Sequence, residues 1–109
     1  AMTLGRSLRK TLIIDSGKPC NRQTPHSHNF LTQDGSTPKE ISEIAISQIS
    51  KYDRIKFYDG LAVSGKKTKK GFEITTSKAD VFTAKKLVFA AGVKDLIPDI
   101  KSLKKKFQP

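Results

Sequence analysis

The run TLIID at residues 11–15 is apolar on both faces of a strand and stops on an acid, which restricts the fold more than any other feature of the chain. A strand that alternates polar and apolar residues can leave one face in water. Thr11 to Ile14 instead asks for cover on both sides, as parallel strands between helix layers have. The polar stretch SGKPCNRQTPHSHNFLTQDGS follows it. Compact domains rarely spend about twenty residues on a connection without regular structure unless that connection has a task.

The next element begins at TPKE. Thr37 is placed to cap free amides, Pro38 suits the first helical position, and Glu40 completes a capping box. Ile41, Ile44, Ala45, Ile49 and Tyr52 then fall at helical spacing, which predicts a helix over 38–52. RIKFYD reads as a short strand with Ile55 and Phe57 on one side. LAVS, FEITTS and VFTA, separated by GKKTKKG and KAD, read as a three-stranded antiparallel meander. KLVFAAG has the composition of a buried strand, with IPDI as an irregular exit. At the front, AMTLGRSLRK fits the last turns of a helix, with Arg9 and Lys10 at the end that favours cations. The order of helix, strand, long loop, helix, strand, meander and strand argues for an α/β layer fold with a parallel sheet. The opening helix has no strand before it in the sequence, so the first βα unit is expected to be incomplete.

With 109 residues, a single domain spanning 1–109 is expected. No run reaches the roughly 18 apolar residues of a membrane span, and the first residues lack the apolar core of a signal peptide. No membrane partner and a cytoplasmic location are therefore expected. The net charge of +11 attracts phosphate of any source, in nucleic acid, a membrane surface or a nucleotide cofactor, without choosing among them. A small basic nucleic-acid-binding module is the alternative reading. It asks for aromatics among the charges, but GKKTKKG has none and Phe107 is alone in the basic tail at 101–109. Both lysine-rich patches read as solvated surface.

Asp15 sits at the C-terminal tip of its strand, where a doubly wound fold places the carboxylate that binds a nucleotide's ribose. Ser16 and Gly17 leave room beside the backbone. An ordinary Asp-Ser-Gly turn is the other reading. His26 and His28 could be a metal pair, a general base or loop structure, and no third ligand stands at a convincing spacing, so no metal site is expected. Cys20 is the single cysteine and has no partner for a disulfide or a C-x-x-C pair. Neither a P-loop nor a G-x-G-x-x-G turn is present, and no catalytic residue is assigned.

LGRSLRKTLIIDSG, NRQTPHSHNFLTQDG and LVFAAGVKDLIPDI, in this order, resemble the FAD-binding part of thioredoxin reductase-like flavoproteins of the pyridine nucleotide-disulfide oxidoreductase group. The resemblance runs from about residue 3 to residue 100. It implies a partial Rossmann-like FAD/NAD(P)-binding domain, with a parallel sheet and a three-stranded meander. The family's first strand and G-x-G-x-x-G would lie before Ala1. Its C-x-x-C and NADPH-binding domain would follow Phe107, so the chain is expected to be an internal slice, not a competent enzyme alone.

By the same resemblance, FAD is the expected cofactor, with NADPH acting through a domain not present. Asp15, beside Ser16 and Gly17, matches the acid that binds the adenosine ribose. Asn21 and Arg22 fall in the loop that runs along the cofactor, and Asn29 where an amide side chain nears the flavin. Asp59 and Gly60 match the strand end that meets the adenine. Ala91 and Gly92 stand in the ATG-like motif, with Ala91 in place of threonine, so backbone contact is retained and a hydroxyl contact is not. FAD and a second copy of the chain are the expected partners; nucleic acid is not.

Overall fold

The computed structural model describes residues 1–93. Seven elements follow one another: α1 (Met2–Arg6), β1 (Thr11–Asp15), α2 (Pro38–Ile49), β2 (Ile55–Asp59), β3 (Ala62–Thr68), β4 (Gly71–Thr76) and β5 (Val81–Ala84). They form an α/β fold with two sheets, a parallel pair β1–β2 and an antiparallel meander β3–β4–β5.

The capping box forms as its sequence dictates. Thr37 Oγ1 accepts from the Glu40 amide at 3.2 Å, and the Thr37 amide donates to Glu40 Oε2 at 2.7 Å. The helix ends at Ile49, three residues before the expected Tyr52. Ile41, Ala45 and Ile49 make its inner face, while Ile44 remains 42% exposed.

α2 carries the chain from β1 to β2, so the two strands run parallel, with Thr11 opposite Ile55 and Asp15 opposite Asp59. Hydrogen bonds close the ladder at both ends: Thr11 N–H to Arg54 O, and Gly60 N–H to Asp15 O, each 2.9 Å. Ile55 is buried beneath α1. A Cβ on Gly5 would come within 2.9 Å of Tyr52 Cγ and 3.1 Å of Ile55 Cδ1, so the helix lies close on this corner.

The meander holds the second part of the core, Ile74 and the buried Thr76. Most of GKKTKKG is strand: β3 runs on to Thr68, which pairs with Gly71, leaving only Lys69 and Lys70 in the turn. Lys66 pairs with Glu73 across the hairpin at 2.7 Å. Tyr58 joins the sheets. Its ring meets Phe82 edge-on at 4.9 Å, its hydroxyl lies 3.2 Å from Thr76 Oγ1, and it donates to the Asp80 carboxylate.

Two expectations are corrected. KLVFAAG is not a buried strand: residues 86–93 take no regular structure, and Val88 and Phe89 are largely exposed. Apolar, β-prone composition does not make a strand without a partner's backbone to bond, and no described strand pairs with this run. β1 is also less covered than expected, with Leu12 exposed, because β1 pairs on one edge only among the described residues. IPDI, the 101–109 tail and Phe107 lie outside the described residues. No helix of the described residues is long and apolar enough to cross a membrane.

Candidate functional site

The parallel register decides the geometry of the site. Because β1 and β2 end in step, Asp15 and Asp59 stand side by side at the C-terminal edge of the sheet, the edge on which open α/β sheets bind ligands. A groove of about 230 Å³ opens there, lined by Asp15, Gly17, Ile46, Phe57, Tyr58 and Asp59.

Asp15 has a local bond as well as an exposed position. Its Oδ1 accepts from the Gly17 amide at 2.9 Å, which turns the chain sharply away from the strand. Gly17 adopts φ +67°, and a Cβ there would meet nothing within 4 Å, so the backbone faces open space. Among the described residues no donor reaches the second Asp15 oxygen. Lys78 Nζ donates to the Asp59 carbonyl at 2.8 Å from the β4–β5 turn. The bond from the Tyr58 phenol to Asp80 needs the phenolic proton and holds the Tyr58 pKa above its ordinary value.

The groove thus offers carboxylate acceptors on a rim and the apolar Phe57 and Ile46 below them. This suits a ligand with adjacent hydroxyl donors and a flat apolar ring, and it lacks the ligand count of a metal centre. Among the described residues no three His, Cys, Asp or Glu side chains gather to hold a metal.

The long loop folds back on itself through its own backbone. Ser27 N–H donates to Ser36 O and Gly35 N–H to Ser27 O, both at 2.7 Å, closing a neck around 28–34. His26 Nδ1 donates to Gly35 O at 3.0 Å and fastens that neck. His28 Nδ1 lies 3.6 Å from Asp34 Oδ1, and the same oxygen accepts from the Asn29 amide at 2.9 Å. The histidines therefore serve loop structure. Asn29 and Thr32 hold φ +60° and +74°, uncommon for residues with side chains. Together with Phe30, Leu31 and Asp34 they line a second concavity of about 330 Å³.

Of the expected site residues, the groove brings together Asp15, Gly17 and Asp59, with Ser16 and Gly60 adjoining in the chain. Asn29 lies in the loop concavity instead. Asn21 and Arg22 belong to an exposed turn, where the Arg22 amide donates to Pro19 O at 3.3 Å, and they line neither space. Ala91 and Gly92 also line neither, although a Cβ on Gly92 would come within 3.1 Å of Cys20 Sγ, so this segment returns to the loop. Ile46, Phe57, Tyr58 and Lys78 were not expected in the site. Ile46 carried a signal, as an apolar residue off the inward stripe of its helix.

No family model matches the chain. It is 34% identical over 111 residues to a probable thioredoxin reductase from Arthroderma benhamiae, covering 96% of this chain and 28% of that protein. It is 32% identical over 103 residues to thioredoxin reductase tcpT from Claviceps purpurea, covering 92% of this chain and 32% of the relative. Among solved structures, an oxidoreductase from Agrobacterium tumefaciens superimposes with a TM-score of 0.84 at 36% identity, over 94% of this chain and 35% of the other. A candidate thioredoxin reductase, TrxB from Bacillus anthracis, gives 0.87 at 31% identity, again over 94% and 35%. The chain spans about a third of the length of the proteins it matches.

Proposed function

We propose, from the premise that this chain is related in sequence and fold to one stretch of the thioredoxin reductase-like oxidoreductases, that it forms the adenosine side of an FAD site in an NAD(P)H-linked oxidoreductase. The observation that supports this reading most is the pairing of Asp15 with Asp59 at the sheet's C-terminal edge, above Phe57 and Ile46.

The residues present fit the adenosine part of such a group. Asp15 has an oxygen free of donors among the described residues, able to accept from a ribose hydroxyl. The open backbone at Gly17 admits the sugar. Phe57 and Ile46 give the base an apolar surface, and the Asp59–Gly60 peptide borders it. The loop 27–36, with Asn29, would run along the cofactor, and Ala91 and Gly92 would meet it through backbone. When bound, FAD supplies two-electron chemistry through its flavin ring. The chain's own residues bind and orient it. With one cysteine the sequence holds no C-x-x-C pair, and we place no catalytic residue in it.

Titration with FAD, followed by flavin fluorescence anisotropy, tests the reading. Weak but saturable binding, competed by AMP, is expected, because the groove is shallow and holds only the adenosine end. Binding that AMP leaves untouched, or no binding at millimolar FAD, counts against it.

A further inference from the structure

Residues 77–80 join β4 to β5 in a tight turn, with Thr76 N–H donating to Asp80 O at 2.9 Å and Ala79 N–H to Thr76 O at 3.0 Å. This turn, distant in sequence from the groove, is fastened to the end of β2. Ser77 N–H donates to Leu61 O at 2.8 Å, Tyr58 donates to Asp80, and Lys78 Nζ donates to Asp59 O at 2.8 Å while lying 5.7 Å from the Tyr58 ring centre. The lysine bond differs from the others in where it ends. Asp59 O and Gly60 N–H belong to one peptide plane, and the N–H of that plane donates to Asp15 O at 2.9 Å.

The Asp59–Gly60 peptide is therefore held from both sides, by Lys78 at its carbonyl and by β1 at its amide. Asp59 is the last residue of β2, and beyond Gly60 the ladder has ended. The ladder's last bond holds this planar peptide by its amide, and Lys78 holds it by the opposite, carbonyl edge. An exposed lysine side chain also gives up substantial rotamer freedom when it settles on one acceptor. Lys78 is thus spent on the peptide that follows one of the groove's two acids.

We propose that Lys78 is a positioning residue of the groove: it holds the Asp59–Gly60 peptide at the end of β2, steadies the Asp59 that the strand register places beside Asp15, and so sets the affinity for a nucleotide with a free ribose diol. The proposal rests on the adenosine reading of the groove. Lys78 itself is a binding partner of the protein's backbone and touches no ligand in this account.

Lys78→Met and Lys78→Arg variants of the chain test it, with AMP as the probe and amide exchange read by NMR. In Lys78→Met, exchange at the Gly60 amide should speed up about tenfold while the Thr76 amide, which reports the turn itself, keeps its rate. The AMP dissociation constant should rise about three- to tenfold. Lys78→Arg, which can still donate to the carbonyl, should restore most of both. A purely structural staple would instead speed both amides together and lower the unfolding midpoint without a separate loss of affinity, which overturns the proposal. If the unaltered chain binds AMP and Lys78→Met changes neither affinity nor Gly60 exchange, the role of Lys78 is refuted and the groove reading stands. If the unaltered chain binds no AMP while Lys78→Met still frees Gly60, the groove reading fails and the ligand role of Lys78 fails with it.

Discussion

Replacing Asp15 by Asn changes one charge in the groove and little else. The amide keeps an oxygen where Oδ1 now accepts from the Gly17 amide at 2.9 Å, so the turn after β1 persists. The loss falls on the ligand side. The second oxygen, the one that faces the ligand, becomes an NH2 that cannot accept, so a hydrogen bond to a charged acceptor, about 1.5–3 kcal/mol, is lost. With one ribose hydroxyl bonded to that oxygen, Asp15→Asn should weaken AMP or FAD by about 1.5–3 kcal/mol, or roughly 10- to 150-fold. Stability should change little: relieving the like charges of Asp15 and Asp59 contributes a few tenths of a kcal/mol, up to about 1, and the Gly17 amide's exchange of a charged for a neutral acceptor costs about as much. Urea unfolding by circular dichroism and ligand titration, run on the same samples, read the two effects. Equal affinity in the variant, or a fall in stability as large as the fall in affinity, would refute the ribose role.

Two further outcomes follow from the fold. Gly71 adopts φ +141°, and a Cβ there would collide with the Ala84 carbonyl oxygen and sit 2.9 Å from Lys85 Cα, so Gly71→Ala should cost about 3 kcal/mol. Gly35→Ala is the control, at φ +82° with nothing within 4 Å, and should cost only about 1 kcal/mol in the same urea midpoint assay. In the capping box, the bond from the Thr37 amide, reinforced by the Thr37 hydroxyl, lowers the Glu40 pKa. A lowered carboxyl pKa stabilises the fold above the unfolded value, about 4.3, and that contribution is lost as pH falls through the folded one. Helical circular dichroism should therefore drop on acidification below about pH 4, and Glu40→Gln should flatten that dependence.

What could be read in advance was local. Thr37, Pro38 and Glu40 signal a helix start because capping involves residues three apart, and β4 shows its alternation within six residues. Asp15 was also readable, as an acid ending an apolar run. Its pairing with Asp59 was not, because it depends on how far α2 carries the chain before β2 begins, and no local motif encodes that. Lys78 was hidden for the same reason, since nineteen residues separate it from the carbonyl it holds. KLVFAAG misled in the other direction: its composition suits a strand, but a strand is a relation between two backbones, and the described residues give it no partner. The long loop gave away its purpose only in part. His26 and His28, which invited a chemical role, serve to close and brace it.

An NMR titration of the chain with AMP reads whether the paired acids Asp15 and Asp59 border an adenosine-binding groove. Amide shifts that saturate together at residues 15–17 and 57–60, and that vanish in Asp15→Asn at the same AMP concentration, are the expected result. Shifts confined to the lysines of the β3–β4 hairpin, unchanged by Asp15→Asn and abolished by salt, would show phosphate meeting surface charge and would contradict the account.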